Sequence, residues 1–327
     1  MKQRSRPRRN RMNSSMRALI QETSLSVNDL IAPLFVMEGE NEKVEITSMP
    51  GQFRYSLDLL LKKIKELDNL GVNCVSLFPA LDDKLKDSCA TESMNPDGLF
   101  QRTIKEVKSL CPNMLVMTDV ALDPYSSDGH DGLVNPKTGE ILNDETLEIL
   151  AGMAVNQANA GADIIGPSDM MDGRIGYIRD ALDGENHKNV SIMSYTAKYC
   201  SAFYGPFRDA LESAPKSGDK KTYQMNPGNI DEALRELKLD EAEGADIVMV
   251  KPGLPYLDVI KVMSQNTTLP IATYNVSGEY AMIKAAAEKG WLDCESTMFE
   301  VLSSFKRAGA SMILTYFTEE AARALNS

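Results

Sequence analysis

Glu243-Gly-Ala-Asp-Ile-Val-Met-Val-Lys251-Pro-Gly253 is the stretch from which the organisation of the chain can be read. A glycine after a charged, helix-periodic segment suits the left-handed cap that ends a helix. The apolar run Ile247–Val250 behind it has the composition of a strand buried on both faces in a parallel sheet. Pro252 and Gly253 then turn the chain away. The same phrase recurs at Leu70–Phe78, Ala160–Gly166 and Ala308–Tyr316. Helical periodicity precedes each occurrence, over 57–70, 143–160, 229–243 and 295–308. Further apolar runs at Ile31–Val36, Met114–Asp119, Val190–Tyr195 and Pro270–Asn275 complete a series of strands separated by helices. Strict alternation of this kind predicts an α/β protein with a TIM (β/α)8 barrel. An open doubly wound sheet is the weaker reading, because no GxGxxG follows the first strand.

Two stretches break the rhythm. Residues 120–142 are rich in Asp and Gly, and residues 199–229 are longer than an ordinary strand-to-helix loop. Both follow C-terminal strand ends, where barrels build their active sites, so they predict a metal or substrate loop and a lid.

The bulk properties fit one barrel domain over 30–327 preceded by an arm over 1–29. Of 327 residues 43% are hydrophobic and 25% charged, ordinary proportions for a chain that buries a core. No apolar run reaches membrane-spanning length and no secretory pattern opens the chain, so a cytoplasmic protein without membrane contact is expected. The five cysteines, Cys74, Cys89, Cys111, Cys200 and Cys294, are scattered without a CxxC pair, which argues against a disulfide framework and a zinc knuckle. The net charge is −12, yet Lys2, Arg4, Arg6, Arg8, Arg9, Arg11 and Arg17 precede the first acid, Glu22. The remainder is therefore strongly acidic and unsuited to nucleic acid. The basic arm reads either as a solvated tail or as a segment that docks on the acidic body of a neighbouring subunit.

Lysines rarely sit at buried strand ends without a partner or a task. Here two successive strands end in one, Lys198 in Ser191-Ile-Met-Ser-Tyr-Thr-Ala-Lys198 and Lys251 in the opening stretch. At matching heights on strands about 4.8 Å apart the two ammonium groups would repel. Repulsion and desolvation both lower a lysine pKa, and a neutral amine can attack a ketone to form a Schiff base. The plainer alternative is a lysine paired with an aspartate such as Asp119 or Asp123.

The strings Tyr195-Thr-Ala-Lys198, Tyr204-Gly-Pro-Phe-Arg-Asp209, Met249-Val-Lys-Pro-Gly253 and Val276-Ser-Gly-Glu-Tyr280 resemble, in order and spacing, the 5-aminolevulinate dehydratase (porphobilinogen synthase) family. That resemblance implies a barrel with an extended N-terminal arm, usually a homo-octamer. It implies condensation of two 5-aminolevulinate molecules to porphobilinogen with loss of two waters, a step towards haem and other tetrapyrroles. It further implies that Lys251 and Lys198 each hold one substrate as a Schiff base and that Ser277 and Tyr316 bind a substrate carboxylate. Tyr204, Arg208 and Gln224 match lid and second-substrate positions, and Asp119 a contact to an amino group. Lys220 stands where the family often has arginine; it can bind a carboxylate, but without the bidentate fork, or be a solvated lid charge.

Zinc-dependent members carry three cysteines in the Asp119–Asp131 loop; here those positions are Ala121, Asp123 and Asp131. Oxygen donors prefer a hard cation, so Mg²⁺ rather than zinc is expected. Asp123 and Asp131 are candidate active-site ligands, or carboxylates that assist proton transfer. Glu236 matches an allosteric magnesium position of bacterial relatives, although it also shares a helix face with Glu232 and Asp240. His130 lies among the loop aspartates and His187 in a surface-type loop. An aldolase would use a strand-end lysine too, but would need no second one beside it; a non-catalytic scaffold would need neither.

Overall fold

The computed structural model describes residues 4–211 and 214–327. Eight parallel strands, β1 (Leu30–Met37), β2 (Cys74–Ala80), β3 (Leu115–Val120), β4 (Ile164–Pro167), β5 (Ser191–Lys198), β6 (Ile247–Lys251), β7 (Ile271–Asn275) and β8 (Met312–Thr315), pair in chain order. The sheet closes where Leu30 and Ile31 of β1 meet Ile313 and Leu314 of β8. Closure removes both sheet edges and buries the strands on two faces, the reason their runs are apolar throughout. Each of the four quoted repeats lands on a strand, preceded by a helix: Leu57–Asn69, Asn143–Ala160, Asp231–Glu243 and Cys294–Ala308. Gly161 and Gly244 cap two of these helices at φ 109° and 100°, a conformation that favours glycine.

Three features were not anticipated. Phe53–Ser56 pairs in parallel with the end of β1 and carries Lys43–Glu45 as an outer antiparallel strand. Leu133–Val134 and Ile141–Leu142 form a small hairpin inside the acidic loop. All are too short to show a two-residue period. The third feature is a register shift in β5. Ile247 and Val248 pair with Met193 and Ser194, whereas Val250 and Lys251 pair with Ala197 and Lys198. One extra residue in β5 thus brings the two lysines face to face.

The lid segment carries a 3-10 turn at Ala202–Tyr204 and a short helix at Gly205–Leu211. Residues 4–20 of the arm are exposed, with a 3-10 turn at Pro7–Arg11 and a helix at Ser14–Leu19; Lys2 lies outside the described residues. Among the described residues no helix is long and apolar enough to cross a membrane.

Candidate active site

The paired lysines meet opposite surroundings. Lys251 Nζ is buried 4.9 Å from the ring centre of Tyr195, 4.6 Å from Tyr274, 5.4 Å from Tyr204 and 5.2 Å from Phe207. Burial lowers its pKa to about 7, helped by the charge of Lys198 and opposed by Asp119, Asp123 and Asp131. The rings supply faces that tolerate a cation yet exclude water, so the amine is near half-neutral at neutral pH.

Lys198 lies in a polar half. It donates to Asp131 Oδ2 at 2.8 Å and to the Ser168 carbonyl. Asp131, fully buried, also takes Lys220 on its other oxygen, and Lys220 stands 3.6 Å from Asp123. Gln224 donates to Asp131 at 3.4 Å. Burial alone would raise the Asp131 pKa; Lys198 and Lys220 overrule it and hold the carboxyl well below its ordinary range. Lys220 is 5% exposed, so it is part of the site and not a solvated lid charge. Burial works against its charge, but Asp123 and Asp131 raise its pKa. The expected lysine–aspartate pairing therefore holds for one strand-end lysine, with Asp131 as partner rather than Asp119 or Asp123. Asp119, buried close to both lysines, is pushed up to about 7 by desolvation, against the pull of Lys251.

The remaining expected residues converge on the same mouth. Tyr204 donates its hydroxyl to the Lys251 carbonyl at 3.1 Å. Ser277 accepts from the Phe207 amide at 3.0 Å, and the Tyr316 hydroxyl meets that of Tyr274 at 2.9 Å. Gly278 lets this happen: a Cβ there would come within 2.5 Å of the Phe203 carbonyl oxygen, so only glycine allows the helix Ser277–Glu288 to abut the lid. Arg208 is half-buried on the lid helix, and its charge is felt by Lys220 and Tyr223.

Sequence reasoning missed several members. Tyr195, Tyr274 and Phe207 form the aromatic half, and inward alternation on β5 and β7 was the signal available for the first two. The Tyr195 hydroxyl and Gln224 Oε1 are buried without a partner among the described residues, polar atoms still free to meet a ligand. His130 ties the acidic loop to the lid: Nδ1 is 3.0 Å from the Tyr223 hydroxyl and Nε2 2.9 Å from the Ser217 carbonyl. His187 is away from the site, against Asn159.

Asp123 and Asp131, expected as possible magnesium ligands, face ammonium groups instead. Among the described residues no group of three or more His, Cys, Asp or Glu side chains is placed to hold a metal ion. With both Asp131 oxygens bonded to lysines, this donor set does not fit a divalent cation. The five cysteines are free and none lies in this loop. Glu236 is half-buried, and Asp240, expected on the same helix face, is 1% exposed: it turns inward to accept from Ser194 at 2.5 Å and lies 3.9 Å from Arg174.

The delta-aminolevulinic acid dehydratase family matches this chain over residues 4–324. A chloroplastic delta-aminolevulinic acid dehydratase of Chlamydomonas reinhardtii is 55% identical over 98% of this chain and 84% of its own length. The enzyme of that name from Chlamydia pneumoniae is 55% identical over 95% of this chain and 93% of its own. The crystal structure of the Toxoplasma gondii protein, solved with the reaction product porphobilinogen, superposes with a TM-score of 0.97 at 52% identity, covering 99% of this chain and 92% of that one.

Proposed function

The chain belongs to the delta-aminolevulinic acid dehydratase family, and from that premise we propose how its barrel mouth performs the reaction. The activity is that of a porphobilinogen synthase, a lyase that condenses two 5-aminolevulinate molecules into porphobilinogen with loss of two waters. The observation that carries the mechanism is the asymmetry of the lysine pair. Two copies of one substrate must play different parts, and two adjacent amines in unlike surroundings can assign them.

Lys251, half-neutral in its aromatic surround, attacks the ketone carbon of one substrate. The N–C bond forms, the ketone oxygen takes protons and leaves as water, and a Schiff base remains. Lys198 enters second, because its amine is tied to Asp131 and to the Ser168 carbonyl and must leave them to reach a ketone. Asp119, titrating near neutrality beside both amines, is placed to carry protons during water loss. Lys220, Arg208 and Gln224 on the lid meet one substrate carboxylate, Ser277 and Tyr316 the other. Lys220 must then exchange Asp131 for that carboxylate, which links substrate binding to lid closure.

Borohydride reduction in the presence of 5-aminolevulinate, followed by peptide mapping, tests this assignment. Label should appear on Lys251, and its rate should rise through about pH 7 and level off above it, since the lowered pKa leaves the reactive amine protonated on the acid side. Label confined to surface lysines, or a rate flat across that range, would refute it.

For the metal we propose Mg²⁺ and not zinc, at Glu236 and not between Asp123 and Asp131. Burial pushes the Glu236 carboxyl up to about 7; Arg174 pulls it down, and Asp240, Asp172 and Glu232 raise it again. Arg174 is itself buried and divided between Asp240 at 3.9 Å and Asp169 at 3.8 Å, so its charge is already shared before it reaches Glu236. Among the described residues Glu236 has no set of three His, Cys, Asp or Glu donors around it either, so only an ion that keeps most of its own waters suits the place, as hydrated magnesium does. Bound there it would supply positive charge to the acidic cluster and bias the assembly allosterically. EDTA should lower activity and Mg²⁺ restore it, while a thiolate-directed zinc chelator has little effect. Glu236→Ala should abolish the response to Mg²⁺; rescue by Zn²⁺ alone would overturn the proposal.

The arm is proposed to hold a homo-octamer together. Its positive charges and the exposed Met12 and Leu19, 67% and 81% accessible, offer a docking face to an otherwise acidic protein. Deleting residues 1–28 should give smaller species in analytical ultracentrifugation; an unchanged sedimentation coefficient would make the arm a tail. For location, relatives bear names that point two ways, chloroplastic for the algal protein and unqualified for the bacterial one. The cytoplasm is the proposal, and cell fractionation decides it.

A further inference from the structure

Glu279 is a carboxyl group with 0% exposure on the helix Ser277–Glu288. Its partners are amides. Oε1 accepts from the backbone N–H groups of Gly253 and Leu254, each at 3.0 Å, and Oε2 accepts from Asn275 Nδ2 at 2.6 Å. Asn275 Oδ1 in turn accepts from Thr315 Oγ1 at 2.8 Å. The chain of bonds thus runs from β8 through β7 to the turn that leaves β6. Burial pushes the carboxyl up to about 8 against the pull of these donors. Both oxygens accept from N–H groups. Burying a carboxyl group without a cation is costly, and the bonds that offset the cost here run to the backbone beyond Lys251 and to Asn275.

What it holds is the backbone beyond Lys251. On the near side, the Lys251 carbonyl accepts from the Tyr199 amide at 2.9 Å and the Tyr204 hydroxyl at 3.1 Å. On the far side, the two bonds to Glu279 fix Gly253 and Leu254. Gly253 has no slack: a Cβ there would lie 2.6 Å from the Phe305 ring and 2.8 Å from Thr273 Oγ1. The charged groups that act on Lys251, namely Lys198, Asp119, Asp123 and Asp131, sit on other elements and would not follow a shift of this turn.

We propose that Glu279 is the positioning residue of the nucleophile: it pins the Lys251-Pro252-Gly253 turn and keeps the Lys251 amine inside its four aromatic rings. The inference rests on the reading of Lys251 as the covalent residue. Loss of the pin lets the turn relax and water reach the amine, which raises its pKa and thins its neutral form at neutral pH. Glu279 does not touch substrate; it acts through Lys251.

The test is borohydride trapping of levulinic acid on the full-length protein as a function of pH, with the label mapped to Lys251. The wild type should show a midpoint near pH 7. Glu279→Ala should move the midpoint up by about one unit and slow trapping at pH 7 by about fivefold, approaching about tenfold on the acid side. Glu279→Gln keeps an oxygen for both backbone amides, and Asn275 can turn its amide to meet the new NH2, so it should trap within about twofold of wild type. Glu279→Asp withdraws the carboxylate by one methylene and should shift in the same direction as alanine; it serves where the alanine variant does not fold. A change in thermal stability with an unshifted midpoint in the alanine or aspartate variant overturns the inference alone. Absence of label on Lys251 in the wild type overturns the Schiff-base reading and this inference with it.

Discussion

Replacing Lys251 with alanine should lower pyrrole formation by roughly 10⁴-fold or more, with the circular dichroism of the fold unchanged. The alanine removes the only atom that can form the N–C bond at that place, and no neighbour can supply another. Lys198 is in direct register across β5 and β6, but its Nζ donates to Asp131 and to the Ser168 carbonyl and is held away from that place. Three of the four rings around Lys251, those of Tyr195, Tyr204 and Tyr274, carry hydroxyls that titrate above their ordinary value because burial disfavours the phenolate, so none substitutes as a nucleophile near neutrality. The fold should survive, because the side chain removed is an amine that burial already drives towards neutrality. A residual activity within about tenfold of wild type, in a preparation free of the parent enzyme, would remove Lys251 from the chemistry.

Asp131→Ala should damage stability and turnover together. Asp131 is the counter-charge for two buried cations, Lys198 at 2.8 Å and Lys220 on its other oxygen. Removing one member of such a group leaves charges in the protein with nothing to answer them, a loss of roughly 3–5 kcal/mol by the usual behaviour of buried pairs. Asp123, 3.6 Å from Lys220, can recover part of this. The pH dependence carries a sign. The Asp131 carboxyl is held below its ordinary range, so its contribution is present above the unfolded carboxyl pKa and lost as the solution is acidified through the folded one. Urea unfolding near neutral pH should show the deficit of the variant, and the gap to wild type should narrow in acid. Equal stabilities near neutral pH would mean that the two ammonium groups find water or other partners, and the polar half of the site would need redrawing.

Both expectations depend on residues whose types were visible along the chain but whose partners were not. The repeated glycine-then-apolar phrase marked β2, β4, β6 and β8, because a parallel strand buried on two faces must be apolar throughout. That constraint acts on each strand separately, so it is legible locally. The lysines at the ends of β5 and β6 were legible for the same reason, a charge at the end of an apolar run being an anomaly by itself. That Ala121, Asp123 and Asp131 stand where zinc-dependent relatives carry cysteines is read from the family resemblance, and it supports the proposal of Mg²⁺.

Which lysine is paired and which is desolvated could only be decided in three dimensions. Asp131 is 67 residues from Lys198 and 89 from Lys220, and nothing in either segment states the meeting. The aromatic surround of Lys251 takes Tyr195 and Tyr274 from flanking strands and Phe207 from the lid, so it exists only when the barrel is closed and the lid is seated. The extra residue in β5 belongs to the same class. A one-residue shift exchanges the two faces of a strand, and it is the pairing of β5 with β6 that sets Lys198 opposite Lys251. Glu279, read along the chain as one letter of a motif, acquires its task from two amides 25 and 26 residues away. Residue type and strand burial are local quantities, which a sequence carries openly. Charge state and nucleophile position depend on distance between segments, and only the closed fold sets that distance.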